Sequence, residues 1–395
     1  MNRPDRGVAL GAVVSAVVLP AAIASTGGGP AARPIAMKSS AQHAKSARAT
    51  QPGQPARAAQ SVRGWRMTAA KHYGGPGNAS GYATVIAPGR HDAWVFGGTN
   101  PGAVSRPVAE HWTGYAWRAA RLPAGLGSFL SGASASSPAN VWAVSSFGGY
   151  ALRWNGVRWS VAGRWRPGTG AVSVTAISPA DVWLFGAAHR SGQHATAWNF
   201  DGHGWIRVTG PRTPISRASA VSSHDIWAIT AAPRGGLVEH WDGRAWNQVG
   251  TGSVLAGTQL DDVVAASCHS VWVLGNSPAA TPAGRVVVAH WNGTSWRRFT
   301  APGRAMPRRL APDGRGGIWI TATTLGAQTE SRLLHLSRSG RWTQTDISHG
   351  LGNAVSDLAL IPGTWSLWGS GGFLTTAGGD AAIWLYGSGT SSPRR

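Results

Sequence analysis

Residues 289–299 read AHWNGTSWRRF, with Trp291 and Trp296 on either side of Asn292-Gly293. Asn-Gly between two apolar runs is a strong hairpin signal, because both residues tolerate the positive φ that a tight turn needs. A two-residue loop pairs Trp291 with Thr294 and Ala289 with Trp296. A four-residue loop pairs the tryptophans directly. In either register the two-residue side-chain period sends both indoles to one face. The chain repeats the device. Trp112-Thr113-Gly114 leads to Trp117, Trp154-Asn155-Gly156 to Trp159, and Trp241-Asp242-Gly243 to Trp246. Looser copies run from Trp198 to Trp205 and from Leu336 to Trp342.

Ahead of each copy stands a second signature: HDAWVFGG at 91–98, ANVWAVSS at 139–146, ADVWLFGA at 180–187, HDIWAIT at 224–230, HSVWVLGN at 269–276 and GGIWIT at 316–321. In a seventh, TWSLWGSG at 364–371, either Trp365 or Trp368 holds the position. From Trp94 through Trp142, Trp183, Trp227 and Trp272 to Trp319 the spacing is 41 to 48 residues. That period, with four short apolar runs per unit and turn residues between them, indicates an all-β chain built as a β-propeller of four-stranded blades. The last unit lacks a fourth strand, while GWRMTAA at 64–70 stands ahead of the first unit as an orphan. Seven blades are expected, with the N-terminal strand around Trp65 closing the ring onto the unit begun near residue 355, so that no sheet edge stays open between the chain ends.

Residues 1–24 read as a secretory signal: Arg3 and Arg6 precede the apolar VALGAVVSAVVLPAAIA, and Ala22-Ile23-Ala24 forms a small-residue cleavage site. The competing reading is an uncleaved anchor, for which the run is short and interrupted by Pro20. Residues 25–63 contain no acid and little to bury, as expected of a disordered basic linker. The propeller is expected over 64–387 and a disordered tail over 388–395. Cys268 is the sole cysteine, so neither an intramolecular disulfide nor a cysteine-based metal site is available. Stability must come from the core, and 22 tryptophans can supply much of it. The formal charge of +21 favours anionic polymers outside the cell. Compositional drift in a GC-rich genome explains why lysine is confined to Lys38, Lys45 and Lys71, but not why acids are scarce.

The histidines divide by repeat position. His111, His240 and His290 precede the hairpin tryptophan, and His91, His224 and His269 precede the second signature. Equivalent positions on different blades do not converge, so no metal is expected. Asp92, Asp181 and Asp225 sit in turns, where aspartates bond nearby backbone. Asp242 and Asp201 belong to the hairpin turn, and Glu110 and Glu239 both precede a His-Trp pair or its equivalent. The acids left over are Asp261, Asp262, Asp313, Glu330, Asp346, Asp357 and Asp380. Asp261, Asp262 and Asp357 fall near the start of innermost strands, with Arg217 and Arg309 at comparable places. Such a ring is either a candidate site or a set of paired charges filling a channel mouth. Two converging carboxylates would suit glycoside chemistry. No serine-nucleophile elbow and no phosphate-cradling glycine motif occurs, and no cofactor is expected.

Trp165 lies outside the repeat, between Arg164 and Arg166 in AGRWRPGTG. An exposed indole there would stack on a sugar ring while the arginines bind hydroxyl or acidic groups; the competing reading folds it back over the blade edge. The loops between second and third strands are long and varied, as binding loops on a rigid scaffold are.

The two signatures, DVW at 181–183 followed by motifs like HWNGTSW at 290–296, resemble those of secreted tryptophan-repeat proteins of actinobacteria and, more distantly, kelch and galactose-oxidase-type propellers. The resemblance spans about residues 64–387 and implies architecture. An oxidase site of the galactose-oxidase type needs a converging Tyr/His/Cys set, and no matching motif is present among five tyrosines and one cysteine. The expected function is therefore a secreted, non-catalytic, monomeric binding propeller. Its expected partner is a glycan or an anionic cell-wall polymer, with another surface protein as a further partner. No sequence-specific nucleic-acid binding and no membrane span after signal cleavage are expected. The alternatives are a hydrolase or lyase acting on extracellular polysaccharide through the channel acids, and a protein-interaction platform.

Overall fold

The computed structural model describes residues 64–73, 77–100, 105–165, 171–186, 196–211, 213–230, 235–277, 284–324, 330–347, 351–376 and 378–387. The signal, the linker, Arg166 and the tail lie outside these. Every regular element among the described residues is a β-strand. Five sheets hold four antiparallel strands each, joined in chain order, and correspond to repeat units 2 to 6. The remaining sheet has eight strands. It contains the four strands of unit 1, the three of unit 7 and the strand Trp65–Lys71, with units 1 and 7 joined by a single parallel bridge between Ala79 and Gly379. Trp65–Lys71 runs antiparallel to Gly378–Tyr386, placing Trp65 opposite Tyr386.

The first strands are innermost. Each touches the first strand of the next unit, and Leu351–Leu360 of unit 7 touches Ala79–Gly89 of unit 1, so the order of contacts closes on itself. A bulge interrupts six of the seven first strands at one level, leaving Ala83, Val172, Ser216, Asp261, Arg308 and Ser356 without a cross-strand partner.

The hairpins take the four-residue register. Trp291 pairs with Trp296, Trp241 with Trp246, Trp154 with Trp159 and Trp112 with Trp117. In the Asn292 turn, the side-chain Oδ1 accepts backbone N–H groups of Thr294 (3.0 Å) and Ser295 (2.8 Å). This Asx geometry is what fixes the longer loop. Gly293, at φ +97°, lies against the preceding turn, where a Cβ would come within 2.4 Å of His269. Gly243 makes the same approach to His224.

The paired indoles pack between sheets. Trp94 in the second strand of unit 1 meets Trp154 and Trp159 of unit 2, both at 5.2 Å between ring centroids. Trp142 meets Phe200 and Trp205, Trp183 meets Trp241, and Trp227 meets Trp291 and Trp296. Trp319 meets Tyr386 and Trp65, so the N-terminal strand supplies the outer aromatic that unit 7 lacks. Trp368 meets Trp112 and Trp117 of unit 1. Trp368 thus holds the seventh repeat position, buried opposite Ala359, and Trp365 is left in the turn, 55% exposed under the Arg315 guanidinium.

Candidate functional site

The residue opposite the second-strand tryptophan, on the third strand, is the histidine of the repeat. His111 stacks on Trp94 at 4.0 Å and His290 on Trp272 at 3.9 Å. The far ring nitrogen reaches the turn ahead of the tryptophan: His111 lies 2.8 Å from Asp92, His240 2.8 Å from Asp225 and His335 2.9 Å from Asp313. Asn199 and Arg153 take the place in units 3 and 2, the latter over the rings of Trp142 and Phe200. These groups stiffen the inter-sheet aromatic contact, with His111, Asn199, His240 and His335 each bonded within its own unit. No cluster of three or more His, Cys, Asp or Glu suited to a metal occurs among the described residues.

The acids and arginines at the centre do converge. Register places Thr84, Ser173, Arg217, Asp262, Arg309 and Asp357 at one equivalent position of their first strands, one residue past the bulge. Asp262 Oδ1 accepts the N–H of Val263 (3.1 Å) and Oδ2 that of Leu310 in the next unit (3.0 Å). Asp357 repeats the arrangement. Its Oδ1 accepts Leu358 N–H (2.8 Å), while Oδ2 accepts Val85 N–H (3.2 Å) and Thr84 Oγ1–H (2.7 Å) in unit 1. Ser173 does the same for Ala218 N–H with a hydroxyl. The two carboxyls are latches between neighbouring inner strands.

Their ionisation is nonetheless perturbed. Loss of hydration pushes Asp262 up to about 7, partly offset by Arg217 and the donated N–H groups, and Asp357 up to about 6, partly offset by the Thr84 hydroxyl, the donated N–H groups and Arg217. Asp261, beside Asp262, is pushed up to about 7 by desolvation and by that neighbour, with Arg308 opposing. Its Oδ2 is buried without a hydrogen-bond partner. Arg308 donates Nε–H to Thr323, and Arg309 donates Nη1–H to the Arg308 carbonyl. Arg217, Asp261, Asp262, Arg308 and Asp357 therefore form one electrostatic group at the axis. Arg309 stands at the equivalent level, turned onto the Arg308 backbone.

Trp165 folds onto the next unit. Its indole is half-buried and meets Trp198 and Trp205, each at 5.6 Å, while its backbone N–H donates to the Gly149 carbonyl. Arg164 is exposed at the end of its strand, opposite Tyr150.

Two features escape the sequence reading. Glu110, fully buried, pairs with Lys71 and accepts the Tyr73 hydroxyl at 2.6 Å, with the Tyr82 hydroxyl 2.9 Å from that of Tyr73. Burial raises both tyrosines well above the ordinary phenol range. The cluster pins the segment that leads from the N-terminal strand into unit 1. Its signal was an acid, shared with Glu239 of unit 4, where Leu152, Trp198, Ala289 and Leu334 stand in units 2, 3, 5 and 6.

The second feature is a cleft of about 630 Å³ between units 1 and 2. The outer strand of unit 1, Trp117–Ala119, has three residues, and the Leu122-Pro123 linker leaves it early. The cleft is floored by Trp154, Trp159 and Trp94 and rimmed by Arg118, Arg121, Arg158 and Val157, with no acid in its lining.

No protein-family model matches the sequence, and no curated protein matches it. Solved structures do. The chain is similar to YCF48 bound to a D1 peptide, with 14% identity and a TM-score of 0.55, covering 82% of this chain and 96% of that one. It is similar to the β-propeller domain of Myceliophteria thermophila Cps50 (Swd1), with 11% identity and a TM-score of 0.56, covering 80% and 99%. A GH74 xyloglucanase from Xanthomonas campestris matches with 14% identity and a TM-score of 0.50 over 78% of this chain and 53% of that one. The fold is a β-propeller. At these identities the likeness extends to the fold alone, and that fold hosts both binding proteins and enzymes.

Proposed function

We propose that this chain is an extracellular, non-catalytic binding propeller of seven blades, akin to the secreted actinobacterial tryptophan-repeat proteins, that recognises an acidic glycan or another anionic wall polymer. The reading of seven blades rests on the cyclic order of first-strand contacts and on Trp65 standing in for the missing outer aromatic of unit 7.

The observation that carries the binding reading is the fate of the acids. Asp92, Asp225 and Asp313 bond histidines; Asp201 and Asp242 bond turn N–H groups; Asp262 and Asp357 bond neighbouring strands; Glu110 bonds Lys71 and Tyr73. With these carboxylates committed to the scaffold, exposed arginines such as Arg118, Arg121, Arg158, Arg207 and Arg244 set the sign of the surface field.

One observation favours the competing enzyme. Burial pushes Asp261 and Asp262 up to about 7, the range that suits a general acid. Incubation with uronate-bearing and neutral polysaccharides, followed by assay of new reducing ends and of unsaturated products, separates the two. Binding without turnover is expected. Turnover abolished by Asp262→Asn or Asp357→Asn, with the fold kept, would replace the binding reading by a hydrolase or lyase.

A further inference from the structure

We propose that the cleft between units 1 and 2 is a binding site for the acidic sugars of a polysaccharide, an inference that rests on the binding function proposed above. Its volume of about 630 Å³ is that of a ligand pocket and suits one or two sugar rings. Its chemistry has two halves. The floor is aromatic: Trp154 is half-buried, held at 5.2 Å from Trp94 and 5.9 Å from Trp159, so the indole is set in place before any ligand arrives. The rim is cationic: Arg118, Arg121 and Arg158 are all exposed, and each carries a planar fork that matches a carboxylate.

The cleft arises from the local sequence. Unit 1 ends its outer strand at Ala119, and Pro123 keeps the linker from extending it. Trp165, after the outer strand of unit 2, covers Trp198 and Trp205 of unit 3. The one aromatic of the linker after unit 1, Phe129, packs on Phe147 at 5.6 Å instead, and Trp154 stays half-exposed. An apolar floor under three cations fits a polymer that offers both a ring face and a negative charge. A uronate-bearing glycan has both. A polyol-phosphate or polyphosphate chain has charge without a ring face in its backbone, so the indole would add nothing to its binding.

The test uses the purified full chain and calorimetric titration with polygalacturonate, long-chain polyphosphate and dextran in 0.15 M salt, near-physiological screening. Polygalacturonate is expected to bind at least tenfold more tightly than polyphosphate, and dextran not measurably. Arg118→Ala/Arg121→Ala/Arg158→Ala should weaken polygalacturonate binding at least tenfold with an unchanged melting temperature. Arg207→Ala/Arg244→Ala/Arg297→Ala removes the same charge elsewhere and should change it less than threefold. Val157→Glu, at a rim position 81% exposed, should weaken it as well. Equal losses in the two triple variants would overturn the cleft as the site and leave net charge responsible. Equal affinity for polyphosphate would overturn the sugar specificity. Failure of the wild-type chain to bind any polyanion would instead remove the binding function on which the inference rests.

Discussion

Replacing Trp368 by alanine is expected to destabilise the protein far more than replacing Trp365, three residues earlier. Trp368 is 3% exposed and joins the last unit to the first, with its ring 5.2 Å from Trp112 and 5.1 Å from Trp117. Burying an indole removes about 200 Å² from water, about 5 kcal/mol at about 25 cal/mol per Å². Large-to-alanine substitutions in cores cost about 3–5 kcal/mol, and surrounding Tyr82, Val85 and Ile383 are themselves buried, so the cavity cannot close easily. For a domain of this size, about 2 °C of melting temperature corresponds to 1 kcal/mol, which gives a fall of about 6–10 °C. Trp365 is 55% exposed, with Arg315 at 3.7 Å above its ring. Its loss removes a solvent-exposed cation–π contact of about 0.5–1 kcal/mol, or about 1–2 °C. Scanning calorimetry of both variants at one pH and salt concentration decides the matter. Equal shifts, or a fall below about 2 °C for Trp368→Ala, would refute the role of the aromatic contacts as the joint between first and last units.

Because Asp261, Asp262 and Asp357 are raised by burial, the folded chain holds protons that the unfolded chain releases near pH 4. Stability should therefore decline from pH 4 towards pH 7, by up to ~1.4 kcal/mol per pH unit for each group. Thermal scans across that window should show the decline, and Asp262→Asn, which keeps an acceptor for Leu310, should flatten it. Gly243→Ala should lower the melting temperature by several degrees, since φ is +90° and the new Cβ falls 2.3 Å from His224. Gly250→Ala, in open space at an ordinary φ, should leave it within about 1 °C. Glu110→Gln removes the charge opposite Lys71 and should cost about 2 kcal/mol. Limited proteolysis should then cut near residues 71–73 sooner than in wild type.

The repeat was legible because it is carried by the largest side chains. A tryptophan every 41 to 49 residues marks the second strand, and large apolar residues on each side of a short turn, aromatic except for Leu336, mark the third and outer strands. Trp65 could be recognised as a displaced outer strand because unit 7 stops at Tyr386, its partner in the register. The hairpin loop length was open because Asn-Gly suits both turns; the Asn292 side chain decides it by taking two N–H groups.

The central charges were legible by position but not by role. Counting back from the second-strand tryptophan puts Asp262 ten residues and Asp357 eleven residues before it, close to one level, yet nothing in the sequence says that Leu310 and Val85 present N–H groups to them. Trp165 gave no sign of its partners, because Trp198 and Trp205 lie in the next unit. The cleft depends on an absence, a strand that ends at Ala119, and on three arginines separated in sequence. Sequence spacing alone does not reveal such a site.

The proposed binding function is tested most directly by co-sedimenting the full chain with insoluble acidic polysaccharide, purified cell wall and a neutral insoluble glycan at low and high salt. Selective retention on an acidic material that persists at high salt is the expected result. Equal retention on every anionic material, lost entirely as salt rises, would contradict it, because a formal charge of +21 alone would then account for the binding.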